Sequence, residues 1–194
     1  MFLQVLLFAP TLCFVRAEEL GSEKQLVQDP RLVVGKWIVH AVGSNNITIF
    51  NRLQTVTSSW VMISKTDEED KYHVQVHDKV GDTCYSKVGD AYLWEGGEVT
   101  LTLTGTPFNT KHKGVYLQTY SENAVVWLDR SYHQNGHTFI TGKNIVLFKK
   151  SKVVADQTMQ RFIEQAKCEN IDIFDLPSTG NTDLCAEQNS GTAE

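Results

Sequence analysis

From residue 33 to residue 149 apolar and polar side chains alternate with a period of two, broken only by short polar turns. A pleated strand with one buried face needs that pattern, and a helix does not tolerate it. Residues 33–42 read as a first strand and 54–64 as a second, the latter rich in β-branched side chains. The acidic run Asp67–Asp70 reads as a turn. Residues 72–77, 84–93 and 99–104 follow as strands, then 114–120, 124–132 and 137–149. Asn135-Gly136 is a type I′ hairpin signal between the last two, with a bulge expected at Gly142. After Lys152 the period changes: Met159, Phe162, Ile163 and Ala166 share one helical face.

Eight consecutive strands joined by short turns, then one helix, predict a mainly β chain. The expected form is an eight-stranded antiparallel up-and-down β-barrel with one C-terminal α-helix packed outside. Closing the sheet removes its edges and leaves room inside for one small ligand. A β-sandwich is the alternative, but it needs Greek-key connections that nothing in the sequence demands.

The apolar run over residues 1–15 is too short to span a bilayer and reads as the core of a secretory signal, cut after Ala17. Residues 18–27 then form an N-terminal extension, 28–186 the barrel with its helix, and 187–194 a disordered tail. With 18 basic against 23 acidic residues the net charge is −5, which argues against a nucleic-acid partner. Of the 4 cysteines, Cys13 is lost with the signal. Cys84, Cys168 and Cys185 remain, enough for one disulfide and one further thiol in an oxidising compartment. None shows the spacing of a metal site. Asn46-Ile47-Thr48 is an N-glycosylation sequon.

Together these residues resemble the lipocalin family. Gly35-Lys36-Trp37 matches its first motif, Gly-x-Trp, at the start of the first strand. Of the second motif, Thr-Asp-Tyr, only Tyr120 is kept in Gln118-Thr119-Tyr120. The Arg of the third motif, at the end of the last strand, is replaced by Lys150. The late helix around Phe162, Leu176-Pro177 and Cys185 fall in the family's order, so the resemblance spans about residues 28–186. It implies that Trp37 closes the barrel floor, with Lys150 over the indole contributing about 0.5–2 kcal/mol. Lysine lacks the flat guanidinium, so this cap is expected to be looser than one made by arginine. One lipocalin subgroup includes neutrophil gelatinase lipocalin, lipocalin-type prostaglandin D synthase and the complement gamma chain. There, cysteines in the places of Cys84 and Cys185 pair, which implies that disulfide here. Cys168 is then left on a helix face pointing away from the barrel, as an exposed thiol and the candidate contact for a protein partner.

Strand alternation assigns the cavity wall. Val74 and Val76 with Tyr72 face inward on the third strand, Val99 and Leu101 with Leu103 on the fifth, and Val146 and Phe148 on the eighth. Trp60 and Met62 with Val56 are assigned inward on the second strand, against competition from Val61 and Ile63. Val126, Leu128 and Arg130 are assigned inward on the seventh, with Trp127 under the helix. Tyr85 and Lys87 add polar groups from the fourth. An apolar tube with Arg130 in it suits a small hydrophobic or anionic amphipathic guest such as a fatty acid or a retinoid. Residues 43–53 are expected to form a mobile loop over the open end, with a glycan on Asn46 beside the entrance.

Catalysis is not expected. The subgroup's isomerase chemistry needs a thiol pointing inward from the second strand, where Ser59-Trp60 stand here and no cysteine occurs. His73 and His77 lie about 13 Å apart along a strand, too far to share a metal. No phosphate loop or cofactor motif is present.

Overall fold

The computed structural model describes residues 30–105, 109–119, 123–135, 138–151, 153–175 and Cys185. The expected leader, N-terminal extension and tail, together with Tyr120, Gly136 and Leu176-Pro177, lie outside those residues. Eight strands follow one another: β1 (Gly35–Ser44), β2 (Val56–Lys65), β3 (Lys71–Val80), β4 (Thr83–Leu93), β5 (Glu98–Gly105), β6 (Asn109–Gln118), β7 (Ala124–Asn135) and β8 (Thr138–Lys149). Each pairs antiparallel with the next, and β1 pairs with both β8 and β2, so the sheet closes. Helix α2 (Asp156–Cys168) packs on the outside.

Two elements were not anticipated. Where a mobile loop was expected, residues 47–53 form a short helix, α1 (Ile47–Leu53). After α2 a ninth strand, β9 (Asp172–Asp175), pairs with the second half of β1 along the edge that β2 leaves vacant. The bulge expected at Gly142 is also corrected: the β7–β8 register runs unbroken through it. The irregularities lie instead in β1, between Val39 and Ala41, and in β2, between Val56 and Ser58.

Closure creates two apolar layers. The inner one holds Trp37, Val39, Ile63, Val74, Val99 and Trp127. The outer one, between the sheet and α2, holds Ala41, Val126, Leu128, Ile145, Leu147 and Phe162. The expected inward set on β7 is therefore reversed. Val126 and Leu128 lie under α2, Arg130 shares their face and is exposed, and Trp127 points into the barrel. Phe162, fully buried, fills the space beneath the helix and packs with Val126, Leu128, Ile145 and Leu147. On β2 the bulge shifts parity after Val56, so Val61 and Ile63 join Val56 inside while Trp60 and Met62 face out. Trp60 is 1% exposed because its exterior site is covered. His77 stacks on it at 4.0 Å, Lys36 Nζ lies 4.2 Å from the ring, and its N–H donates to the Cys185 carbonyl at 2.9 Å.

The floor follows the sequence reading. Pro30–Val33 forms a 3₁₀ turn, and the Trp37 indole N–H donates to the Val33 carbonyl at 2.8 Å. Gly35 has φ +115, a conformation that side-chain-bearing residues rarely adopt, and this lets the chain turn from the plug into β1. Lys150 Nζ sits 4.8 Å from the Trp37 ring. Trp37→Ala is expected to cost about 3–5 kcal/mol in denaturant unfolding. Lys150→Met should cost no more than about 1 kcal/mol, because an exposed cation over a ring adds little. Equal losses would contradict this division of roles.

Candidate functional site

The inner face encloses a cavity of about 210 Å³. Its lower part is apolar, built from Trp37, Ile63, Tyr72, Leu93, Val99 and Phe148 near the floor, with Val74, Ala91, Leu101, Trp127 and Val146 above them. Tyr116 tilts against Trp127 at 4.7 Å, and burial, reinforced by Asp129, pushes its hydroxyl pKa up. Of the residues assigned to the cavity from sequence, Val74, Val76, Lys87, Val99, Leu101, Val146 and Phe148 line it. Trp60, Met62, Val126, Leu128 and Arg130 belong to the outer face, and Tyr85, half-buried on β4, does not reach the cavity. The expected internal anchor, Arg130, is thus replaced by Lys87.

Sequence reasoning missed a belt of polar side chains at the upper end. Ser59, Asp78 and Lys87 lie on β2–β4, Thr110 and His112 on β6, Asp129 and His133 on β7, and Asn144 on β8. Asp129, 4% exposed, is held by two neighbours. Its Oδ1 accepts from Asn144 Nδ2 at 2.8 Å, and its Oδ2 bonds His112 Nδ1. The same Asn144 amide donates to Ser131 Oγ at 2.7 Å, and His112 Nε2 lies 3.0 Å from Thr110 Oγ1. Across the tube, Ser59 Oγ donates to Asp78 Oδ1 at 2.7 Å. A buried carboxylate is tolerable only with such partners. Asn144 Oδ1, itself buried, has no hydrogen-bond partner among the described residues. The signal for the belt is in the sequence. Thr110 and His112, then Asp129, Ser131 and His133, recur at every second position, as inward residues must. Their polarity disguised them as solvent-facing.

Helix α1 covers the belt. Asn46 caps it, its Oδ1 accepting from the Thr48 and Ile49 amides at 2.9 and 3.2 Å. Asn46 Nδ2 donates to the Thr141 carbonyl on β8 at 2.9 Å, and Asn45 Oδ1 accepts from the Lys143 amide at 2.8 Å. The sequon residue is therefore itself the joint between lid and wall. Ile49 and Leu53 point down into the cavity. Gly142 makes room for this: a Cβ there would lie 2.7 Å from Ile49 Cδ1 and 3.0 Å from Asn46 Cβ.

Cys84 and Cys185 form a disulfide across 101 residues, as the resemblance implied. A loop that long contributes about 4–5 kcal/mol in the chain-entropy view. Cys168 lies exposed at the last turn of α2, and nothing in the structure or the comparisons supports a protein partner there. Among the described residues no three acidic, histidine or cysteine side chains gather to hold a metal, and no helix is long and apolar enough to cross a membrane.

The electrostatics of the belt set a pH response. Burial, then His112, Lys87 and Arg52, lower the His133 pKa to about 4, with Asp129 opposing. The unfolded chain binds this proton near 6.5, so the folded state loses stability as pH falls from about 6.5 towards 4 and is unaffected above that range. Between pH 7 and 4.5, urea unfolding should show His133→Gln losing less stability than the unaltered protein, by on the order of 2 kcal/mol. Parallel losses would place the acid sensitivity elsewhere.

No family model matches the sequence, and no curated protein sequence matches it. Solved structures do match. The siderocalin Ex-FABP, a protein of dual ligand specificities, superposes with a TM-score of 0.58 at 17% identity, over 77% of this chain and 97% of its own. The bovine lipocalin allergen Bos d 2 gives 0.57 at 17% identity over 81% and 99%, and the odorant-binding protein OBP1 gives 0.59 at 13% over 81% and 99%. At such identities the likeness is one of architecture. A closed eight-stranded antiparallel barrel, floored by the Gly-x-Trp tryptophan and flanked by a late helix, has the lipocalin fold.

Proposed function

We propose that this chain is a secreted lipocalin that binds and carries one small, mostly apolar molecule bearing a single polar group. The observation that carries the reading is the cavity itself, with apolar walls below, a polar belt above and a helix across its mouth. Its volume of about 210 Å³ is below the ~300–1,000 Å³ usual for drug-sized ligands. That favours a short or medium-chain amphiphile over a retinoid. An anionic head would meet Lys87, not Arg130, and would have Asp78 and Asp129 nearby, so a neutral polar head suits the belt better.

Secretion is supported by the leader-like residues 1–17 and by the Cys84–Cys185 bond, which persists best in an oxidising compartment. The position of that bond also favours the lipocalin subgroup with the same pairing. We read the protein as a carrier and not an enzyme. The second strand offers the cavity Ser59 where the subgroup's isomerase chemistry needs a thiol.

Titration with an apolar naphthylamine dye, followed by displacement with medium-chain alcohols, tests the proposal. One site per chain is expected. Ala91→Trp, which fills the middle of the tube, should weaken dye binding by at least about tenfold. Arg130→Leu should leave it unchanged. Undiminished binding by Ala91→Trp would move the site out of the barrel.

A further inference from the structure

We propose that Lys87 captures small aldehydes and ketones inside the cavity as reversible imines. The proposal rests on the carrier reading for entry of the guest and adds a covalent step to it. Among the described residues Lys87 is the lysine that lines the cavity. It stands on β4 opposite Val76 of β3, with Leu103 and Ala91 also in the wall. An amine attacks a carbonyl only as the free base, and an apolar wall favours that form. Desolvation holds the Lys87 ammonium below its ordinary pKa, Arg52 of the lid adds to this, and Asp78 opposes it.

Asp78 supplies what capture also needs, a group to move protons. It pairs with Tyr85, while Lys87 pairs with Val76, so Asp78 and Lys87 are diagonal neighbours on the inner face. Ser59 Oγ fixes the Asp78 carboxylate from the strand beyond. In the step, the Lys87 Nζ lone pair forms a bond to the carbonyl carbon, and the C=O π pair moves to oxygen. One N–H proton passes by way of Asp78 to that oxygen, giving a carbinolamine. The remaining N–H proton then passes by way of Asp78 to the hydroxyl, which leaves as water while the nitrogen lone pair forms the C=N bond of the imine. Nothing is oxidised or reduced, and water reverses the sequence. The small volume selects short-chain or single-ring carbonyl compounds, and an aliphatic tail would lie along Val74, Leu101 and Trp127.

The test uses the full-length protein with hexanal and cyanoborohydride, which reduces the imine to a stable secondary amine that peptide mapping locates. Lys87 should be alkylated at least about tenfold faster than the exposed Lys111 and Lys167, because the cavity holds the aldehyde beside it. Saturating hexan-1-ol should slow alkylation of Lys87 and leave the surface lysines unaffected. Lys87→Met, with folding checked by near-ultraviolet circular dichroism, should abolish the fast phase, and Asp78→Asn should slow it several-fold. Alkylation of Lys87 no faster than at the surface would overturn the imine proposal, and this measurement needs no variant. If the unaltered protein still binds the apolar dye in that case, the carrier reading stands. Absence of dye binding as well would overturn both.

Discussion

The pairing of β1 with both β8 and β2 is the constraint on which the rest of the molecule depends. It turns an edge-bearing sheet into a tube and gives every strand an inside and an outside. Eight strands at this curvature leave more interior than their own side chains fill. Trp37 and Val33 plug one end, and α1 covers the other. What is left between them is the cavity. The two bulges, at the middle of β1 and the start of β2, flank this closure and decide which residues of those strands point inward.

Much of this was legible in the alternation of residues 33–149. Clean period-two segments such as Val99–Leu103 placed their side chains correctly, because one face was apolar and the other was not. Strand β7 defeated the same rule. It is covered by α2 outside and faces the cavity inside, so Val126 and Trp127 are both buried and hydrophobicity no longer tells the faces apart. On β2 one extra residue reversed the parity, and bulges leave no strong mark in composition. The start of β6 went unread because Thr110 and His112, the inward residues, are polar, while Lys111 and Lys113 alternate with them. α1 was hidden by its brevity, although Asn46 is a good cap.

The polar belt and the lid belong to one arrangement. Buried polar groups are expensive unless each finds a partner, and most of these do so within the wall. Asn144 joins Asp129 to Ser131, His112 joins Asp129 to Thr110, and Ser59 holds Asp78. Over them α1 brings Arg52 close enough to act electrostatically on both Lys87 and His133. The lid is tied to β8 through Asn45 and Asn46 and seated in the notch at Gly142. A guest therefore meets polar groups first and apolar walls beneath them, which sets the orientation of an amphipathic molecule.

The most direct measurement of the central claim is native mass spectrometry of the protein taken from its natural source, before and after organic extraction. A cavity built to hold a guest predicts a single small molecule per chain that leaves on extraction. It also predicts that the emptied protein, exposed again to the extract, takes up that molecule alone. A chain that carries nothing before extraction and takes up nothing from the extract afterwards would contradict the account.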